Sequence, residues 1–165
     1  MPDTAEYLKR IRENARGENP LDLQRQTPLV LAKLTAQASD DQLTTRPSKD
    51  KWSVAEILAH LAEDEIASAW RYRQMVEHNG TALTGFDQDL WCRLGDYASR
   101  PTFESLELFR LLRKLNIEFL ERLAPEQWEY CGIHAERGRI SVKDLVIHMA
   151  GHDVNHIEQI RGILG

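Results

Sequence analysis

The sequence predicts an all-α protein built as a four-helix bundle, with a short additional helix at its N-terminal end. Apolar residues recur at helical spacing in four long segments, a pattern typical of helices that bury one face. Val, Ile and Thr nowhere alternate with polar residues for long enough to predict a strand. The 165 residues suffice for a sizeable core without disulfides, so we expect residues 1–165 to form one domain.

The first two helices are marked by glycine and proline. A short helix is expected over Thr4–Arg16, because Gly17 is a natural stop. The first long helix is expected over Pro20–Ala38. Pro28 either kinks this helix or marks its true first turn, since proline has no N–H to donate inside a helix.

Three more long helices are expected over Ser53–His78, Thr102–Leu123 and Ser141–Leu164. The third has a dense set of core candidates: Phe103, Leu106, Phe109, Leu112, Leu115, Ile117, Phe119 and Leu120. The connection over Thr81–Pro101 is the longest and includes a short predicted helix near Gln88–Arg93. A single long crossover there lets the second and third long helices run parallel, and the last helix then turns back against both.

Two of the long helices open in the same way. Ser53 is followed three residues later by Glu56, and Ser141 is followed at the same spacing by Asp144. This spacing is typical of a capping box, in which the serine oxygen accepts from a free N–H of the first turn and the acid reaches back. The shared opening needs no internal duplication to explain it.

The stretch HMAGHDVNH contains His148, His152 and His156, which lie one turn apart on the last helix. His60 lies about 10 Å from the start of its own helix, at 1.5 Å per residue. If the last helix runs antiparallel to the helix of His60, His156 lies at the same height along the bundle axis and His152 lies one turn away. His148 is then displaced from the height of His60 by roughly 12 Å. We therefore predict one metal site formed by His60, His152 and His156. Imidazole ligands suit Zn, Ni, Fe or Cu.

Two segments then carry a family resemblance. KWSVAEILAHLAEDE, at Lys51–Glu65, and HDVNHIEQI, at His152–Ile160, resemble the DinB-like superfamily, which includes YfiT-type metal-dependent hydrolases. The resemblance implies a bundle in up-down-down-up order, often a homodimer, and a divalent metal held by the positions of His60, His152 and His156. It favours Ni or Zn, with Fe or Mn as further candidates. His148 matches no ligand position, so we expect it to be a core residue or to support a ligand.

A three-histidine site leaves coordination positions open, as catalytic zinc sites do. The resemblance implies a metal-dependent hydrolase or a thiol transferase acting on a small molecule, with a low-molecular-weight thiol as one candidate substrate, and an open metal site suits either activity. The catalytic base stays unassigned. Glu63 or Asp64 is a candidate to orient a ligand imidazole, although most acids near the histidines, including Asp153 and Glu158, are expected to face solvent.

Two other readings stay open. One is a metal-binding stress or interaction protein without catalysis. The other is a ferritin-like di-iron protein, which needs Glu-x-x-His on two helices, whereas Asp153–His156 is the single acid-x-x-His here.

Composition narrows the classes of partner. The net charge of −5 and the lack of a basic stripe argue against nucleic acid, and no apolar run reaches the roughly 18 residues of a membrane span. The charged N-terminal stretch has no apolar core typical of a signal peptide, and Cys92 and Cys131 form no CxxC pair. We therefore expect a cytoplasmic protein. His78 and His134 are expected to be solvated. Arg137 and Arg139 are expected to lie on a surface loop, and the alternative is that they meet an anionic substrate near the mouth of the bundle.

Overall fold

The computed structural model describes the backbone of residues 4–165 and the side chains from Glu6 onward. Its helices are α1 (Thr4–Asn14), α2 (Pro20–Thr35), α3 (Asp40–Thr44), α4 (Val54–Glu77), α5 (Gln88–Leu94), α6 (Thr102–Leu120) and α7 (Val142–Leu164). Its strands are β1 (Thr81–Leu83), β2 (Cys131–His134) and β3 (Gly138–Ser141). Two 3₁₀ turns, at Tyr97–Ser99 and Pro125–Glu129, complete the regular structure of the described range.

Helices α2 and α7 run parallel to each other. The Gln24 side chain donates to the carbonyl of Val146 at 2.8 Å, and the hydroxyl of Thr27 donates to Asp153 at 2.9 Å. Residue numbers therefore increase in the same direction along α2 and α7. This is the arrangement expected for the first and last helices of an up-down-down-up bundle.

Helices α4 and α6 also run parallel. The Asn116 amide donates to the carbonyl of Glu65 at 3.1 Å, and further along both helices the Arg73 guanidinium lies over the ring of Phe119 at 4.6 Å. Parallel neighbours need a connection that returns along the bundle, and residues 78–101 supply it. The long crossover predicted from the sequence is confirmed.

Helix α7 packs antiparallel to α4. His60 meets His152 at one level, and Ser68, two turns later on α4, meets Met149, which lies earlier on α7. Together with the two parallel pairs, this contact gives the order up, down, down, up. The predicted fold class is therefore confirmed, and none of the described helices is long and apolar enough to cross a membrane.

The capping boxes fix where the two histidine-bearing helices begin. Ser53 Oγ accepts from the N–H of Glu56 at 3.3 Å, and the Glu56 carboxylate accepts from the N–H of Ser53 at 2.8 Å. Ser141 and Asp144 form the same reciprocal pair at 3.0 and 3.1 Å. Both predicted caps are confirmed, and they set the level of every histidine that follows.

The prediction that no strand forms is wrong. β2 pairs in parallel with β1 and antiparallel with β3, which gives a three-stranded sheet beside the bundle. Each strand has only three or four residues, too few for alternation of apolar and polar residues to be visible in the sequence. The sheet ties the crossover to the segment before α7.

Some boundaries also differ from expectation. α2 ends at Thr35 instead of Ala38, and the short helix α3 follows it. Pro28 lies inside α2 and is buried, so it does not mark the first turn. Two expected core residues of α6 are exposed, Phe103 at 71% and Leu115 at 55%, while Phe109 is fully buried.

Candidate metal centre

The structure brings together the side chains of His60 on α4 and of His152 and His156 on α7. The Nε2 atom of His152 lies 3.2 Å from that of His60 and 3.0 Å from that of His156. One ligand atom from each of the three residues lies within 4.8 Å of the other two. The helical spacing places His152 and His156 on one face, and the antiparallel packing brings His60 opposite them.

All three rings are buried, which keeps them neutral. Burial lowers the pKa of His60 and His152 well below the ordinary value of 6.5, and it lowers that of His156 to about 4. The charges of neighbouring imidazoles lower the pKa of His60 and His152 further. A neutral imidazole has a free lone pair on one ring nitrogen, which is the form that binds metals.

The donor set fits a divalent ion. A tetrahedral zinc ion with metal–nitrogen distances of about 2.0–2.1 Å places its ligand nitrogens about 3.3 Å apart, close to the observed separations. The Nδ1 atoms of His152 and His156 are buried without a hydrogen-bond partner among the described residues. When the ring protons are on Nδ1, three Nε2 lone pairs converge and repel each other, and a cation between them removes this repulsion. The residues present therefore suit a metal.

Of the two candidate orienting carboxylates, Asp64 is the one placed beside the cluster. Its Oδ2 lies 3.6 Å from Nδ1 of His152, slightly beyond hydrogen-bond distance. Glu63 points elsewhere and forms an ion pair with Arg100 at 2.7 Å. Burial, with Glu65 adding its negative charge, raises the pKa of Asp64 to about 7.

The remaining histidines have different surroundings. The ring of His148 lies 6.1 Å from that of His152, in a stacked orientation, and outside the three-histidine group. His78 is exposed, as expected. The expectation that His134 is solvated is wrong, because the short sheet buries it and its Nδ1 accepts from the N–H of Glu136 at 3.2 Å.

A buried ionic cluster directly beside the histidines was missed by the sequence analysis. Arg113 on α6 donates to both oxygens of Asp153, at 2.5 and 3.0 Å, and to Glu65 at 2.9 Å. Asp153 is fully buried, so the expectation that most acids near the histidines face solvent fails there and at Asp64. Glu158, in contrast, is exposed as expected.

A sequence signal for this cluster existed. Asp153 lies four residues after Met149 and four before Ile157, within the apolar stripe of α7. Arg113 has the same position between Phe109 and Ile117 on α6. A charged residue within an apolar stripe is expected to be buried with a partner, and two such residues of opposite charge predict a pair.

The comparisons with known proteins agree with the fold and the histidine cluster. The family model of the DinB superfamily matches residues 24–160. The chain belongs to the DinB superfamily. The match covers all three histidines of the cluster and both capping boxes, so the resemblance seen in two short motifs extends over most of the chain.

Relatives of this DinB-superfamily chain are named for a metal-dependent activity. A "putative metal-dependent hydrolase" of Oceanobacillus iheyensis is 26% identical over 136 residues, which cover 82% of this chain and 78% of that protein. The hydrolase of the same description from Bacillus subtilis, YfiT, is 22% identical over 144 residues, which cover 85% of this chain and 81% of YfiT.

A solved structure supports the architecture. YfiT from Bacillus subtilis, described as "a probable metal-dependent hydrolase with an unusual four-helix bundle topology", superposes with a TM-score of 0.82 at 21% sequence identity. The match covers 87% of this chain and 83% of that one. At this identity the likeness establishes the fold alone.

Proposed function

We propose that this DinB-superfamily protein is a metal-dependent enzyme that binds one divalent ion through His60, His152 and His156. The observation that carries the proposal is the convergence of three buried, neutral Nε2 atoms. Nitrogen donors favour Ni or Zn, with Fe or Mn as further candidates, over Ca or Mg, which prefer oxygen. When bound, the ion supplies a Lewis acid that lowers the pKa of a water or thiol nucleophile.

The protein's own residues shape this site. Three histidines leave part of the coordination sphere free for a small molecule, whereas structural zinc sites are closed by four protein ligands. Asp64 is placed to accept the Nδ1–H of His152 after a small movement, which fixes the ring so that Nε2 keeps its lone pair. The ring of Trp52 packs against His60 at 4.9 Å and restrains it from the other side.

The names of the relatives favour hydrolysis, so hydrolase activity is the first expectation. A thiol transferase would use the same free coordination positions to activate a low-molecular-weight thiol. The two activities differ in the nucleophile, and assays distinguish them. Metal-loaded protein is tested with ester and amide substrates, and in parallel with small thiols and a chlorodinitrobenzene electrophile. No turnover above that of the free metal would favour a protein that binds metal without catalysis.

Metal analysis tests the site itself. Protein purified without chelator is expected to contain one ion per chain by elemental analysis, and the His152→Ala/His156→Ala double variant is expected to contain none. His78→Ala is the matched control, because this histidine is exposed and distant from the cluster. Two irons per chain, or full metal content in the double variant, would contradict the assignment.

A homodimer and a cytoplasmic location stay predictions. Apolar side chains exposed on α6, which include Leu108, Leu111 and Leu115, lie at positions three and four residues apart and so form one stripe. We propose this stripe as part of the dimer contact. Light scattering after size-exclusion chromatography is expected to give twice the chain mass for the wild type, and the chain mass for Leu111→Glu.

A further inference from the structure

Two half-buried arginines, Arg71 on α4 and Arg137 in the β2–β3 turn, lie on the His148 side of the histidine cluster. Arg71 lies three residues after Ser68, which contacts Met149, the neighbour of His148 on α7. Arg137 lies three residues after His134, which pairs with Leu83, and Arg71 donates to the next residue, Thr84. His148 in turn stacks on His152. Both guanidiniums are therefore neighbours of the candidate metal centre without belonging to it.

Arg71 shares one face of α4 with His60 and Asp64. The residues are separated by four and seven positions, so Arg71 lies two turns, about 10 Å, beyond Asp64 along the axis. Its Nη2 donates to the carbonyl of Thr84 at 2.8 Å, and its guanidinium lies over the ring of Phe86 at 5.4 Å. The segment after β1 thus holds the guanidinium in place and leaves other N–H groups free.

Arg137 is held by the geometry of its turn. Three residues join β2 to β3, and the next one, Gly138, has a positive φ of 68°, which is typical of a three-residue hairpin. The N–H of Glu136 donates to His134 inside the same turn. The Arg137 side chain itself makes no hydrogen bond to any described residue, so its donors are available.

The charges of this arginine pair have no ion-pair partner among residues 6–165, whose side chains the structure describes. No carboxylate of the described residues forms an ion pair with Arg71 or Arg137, and Asp64, the main carboxylate acting on both, stays beyond ion-pair distance. Burial lowers the pKa of both guanidiniums, and the charge of Arg71 lowers that of Arg137 further. Keeping two like charges partly out of water costs free energy unless an anion compensates them.

We propose that Arg71 and Arg137 bind an anionic group of the substrate, a carboxylate or a phosphate, while the reacting group of the same molecule lies at the histidine cluster. Guanidinium groups bind both kinds of oxyanion in bidentate geometry. The second half of this inference rests on the proposed function. The anion site itself is built from residues that do not contact the metal ligands directly, and it can be tested without any metal.

The test measures binding of inorganic phosphate and of succinate to metal-free protein by calorimetric titration at constant ionic strength. The wild type is expected to bind at least one of the two anions, and Arg71→Met and Arg137→Met are each expected to weaken that binding about tenfold or more. Arg139→Met is the matched control, because Arg139 lies on the same hairpin but is exposed, and it is expected to bind as the wild type does.

Two results would overturn the proposal. One is wild-type protein that binds neither anion beyond the level seen with an equal concentration of chloride. The other is unchanged affinity in both arginine variants. If Arg71→Met fails to fold because the bond to Thr84 is lost, Arg137→Met decides alone, since it removes no hydrogen bond to any described residue.

Metal content separates this inference from the proposed function. Both arginine variants are expected to keep one ion per chain, and the His152→Ala/His156→Ala variant is expected to keep its affinity for the anion. Protein that binds metal but no anion contradicts the arginine site alone. Protein that binds the anion but no metal contradicts the proposed metal site and leaves the arginine site standing.

Discussion

Arg113 and the pair Arg71 and Arg137 show two ways in which one bundle accommodates arginine away from water. Arg113 is 1% exposed, and its guanidinium contacts the carboxylates of Glu65 and Asp153 and a backbone carbonyl of α2. Burial disfavours its charge, but the two carboxylates more than offset this and raise its pKa. The other pair has no carboxylate partner among the described residues.

The difference distinguishes an arginine that stabilises the fold from arginines that are available to bind a ligand. The contacts of Arg113 join α2, α4, α6 and α7 at one level, so they fix the register of the two helices that carry the histidines. One acceptor is the carbonyl of Gln24, which Pro28 cannot engage because proline has no N–H. An arginine whose partners are all internal holds the bundle together, whereas an arginine without them is available to a ligand.

The largest change in stability is expected when Arg113 is replaced. Arg113→Met leaves Asp153 and Glu65 buried without a cation, which is expected to lower the free energy of unfolding by about 3–5 kcal/mol in urea denaturation. Arg110→Met, one turn earlier, is the control, because Arg110 forms only an exposed pair with Glu107 and no measurable loss is expected. Equal losses in both variants would show that the buried cluster has no special structural role.

Acidification is the next largest test, and it acts on the histidines. Their pKa values are lowered in the folded state, so the unfolded chain binds more protons between pH 6.5 and 4, and stability falls as pH falls through this range. For His156 alone, the interval from 6.5 to about 4 corresponds to about 3 kcal/mol. The raised pKa values of Asp64 and Asp153 act in the opposite direction, and the lowered pKa of His148 adds to the effect of the three histidines. We expect the four histidines to outweigh the two acids.

Urea denaturation of metal-free protein at several pH values measures this effect. His78→Ala is expected to keep the full pH dependence, whereas His156→Ala should reduce its slope. A pH dependence that is unchanged in His156→Ala would refute the neutral, buried state of this histidine. Metal affinity is expected to fall over the same range, because protons compete for the imidazole lone pairs.

A smaller effect is expected from Gly151, which lies next to His152. A Cβ atom there would come within 1.8 Å of the carbonyl oxygen of Ile11, so Gly151→Ala forces α1 away from α7. Overpacking of this kind costs about 1–3 kcal/mol. Gly162→Ala is the control on the same helix, since its Cβ would meet open space. Thermal unfolding of both variants measures the difference, and equal midpoints would contradict the close packing.

The smallest effect on stability is expected from replacing Arg137, which tests directly whether this arginine has a structural partner. Arg137→Met in protein without ligand is expected to leave the unfolding midpoint unchanged or to raise it slightly, because the substitution removes repulsion from Arg71 and breaks no internal bond. A midpoint lowered as far as that of Arg113→Met would mean that Arg137 has a structural partner after all.

Structural features that depend on local periodicity are predicted well from the sequence. The four long helices, both capping boxes and the common level of His60, His152 and His156 follow from spacing and from the rise of a helix. The three strands do not follow, since each is too short to show its pattern. The pairing of β1 with β2 also joins residues about fifty positions apart, as in Thr81 with Gly132.

The two arginine environments differ in how far the sequence could have predicted them. Arg113 lies within an apolar stripe and could have been noticed, but its partners Glu65 and Asp153 come from two other helices. For Arg137 the sequence favoured an ordinary surface loop over contact with an anionic substrate. Its nearness to Arg71 depends on the β2–β3 turn, which no local pattern of the sequence predicts.

One consequence follows from the 92 positions that separate His60 from His152. An unfolded chain offers an ion only the neighbouring pair on α7, whereas the folded chain offers a third ligand from the other half of the sequence. A bound ion would therefore act as a removable cross-link between the two halves. Protein cut within the exposed residues 87–90 should then hold its two fragments together more tightly with metal than after a chelator is added.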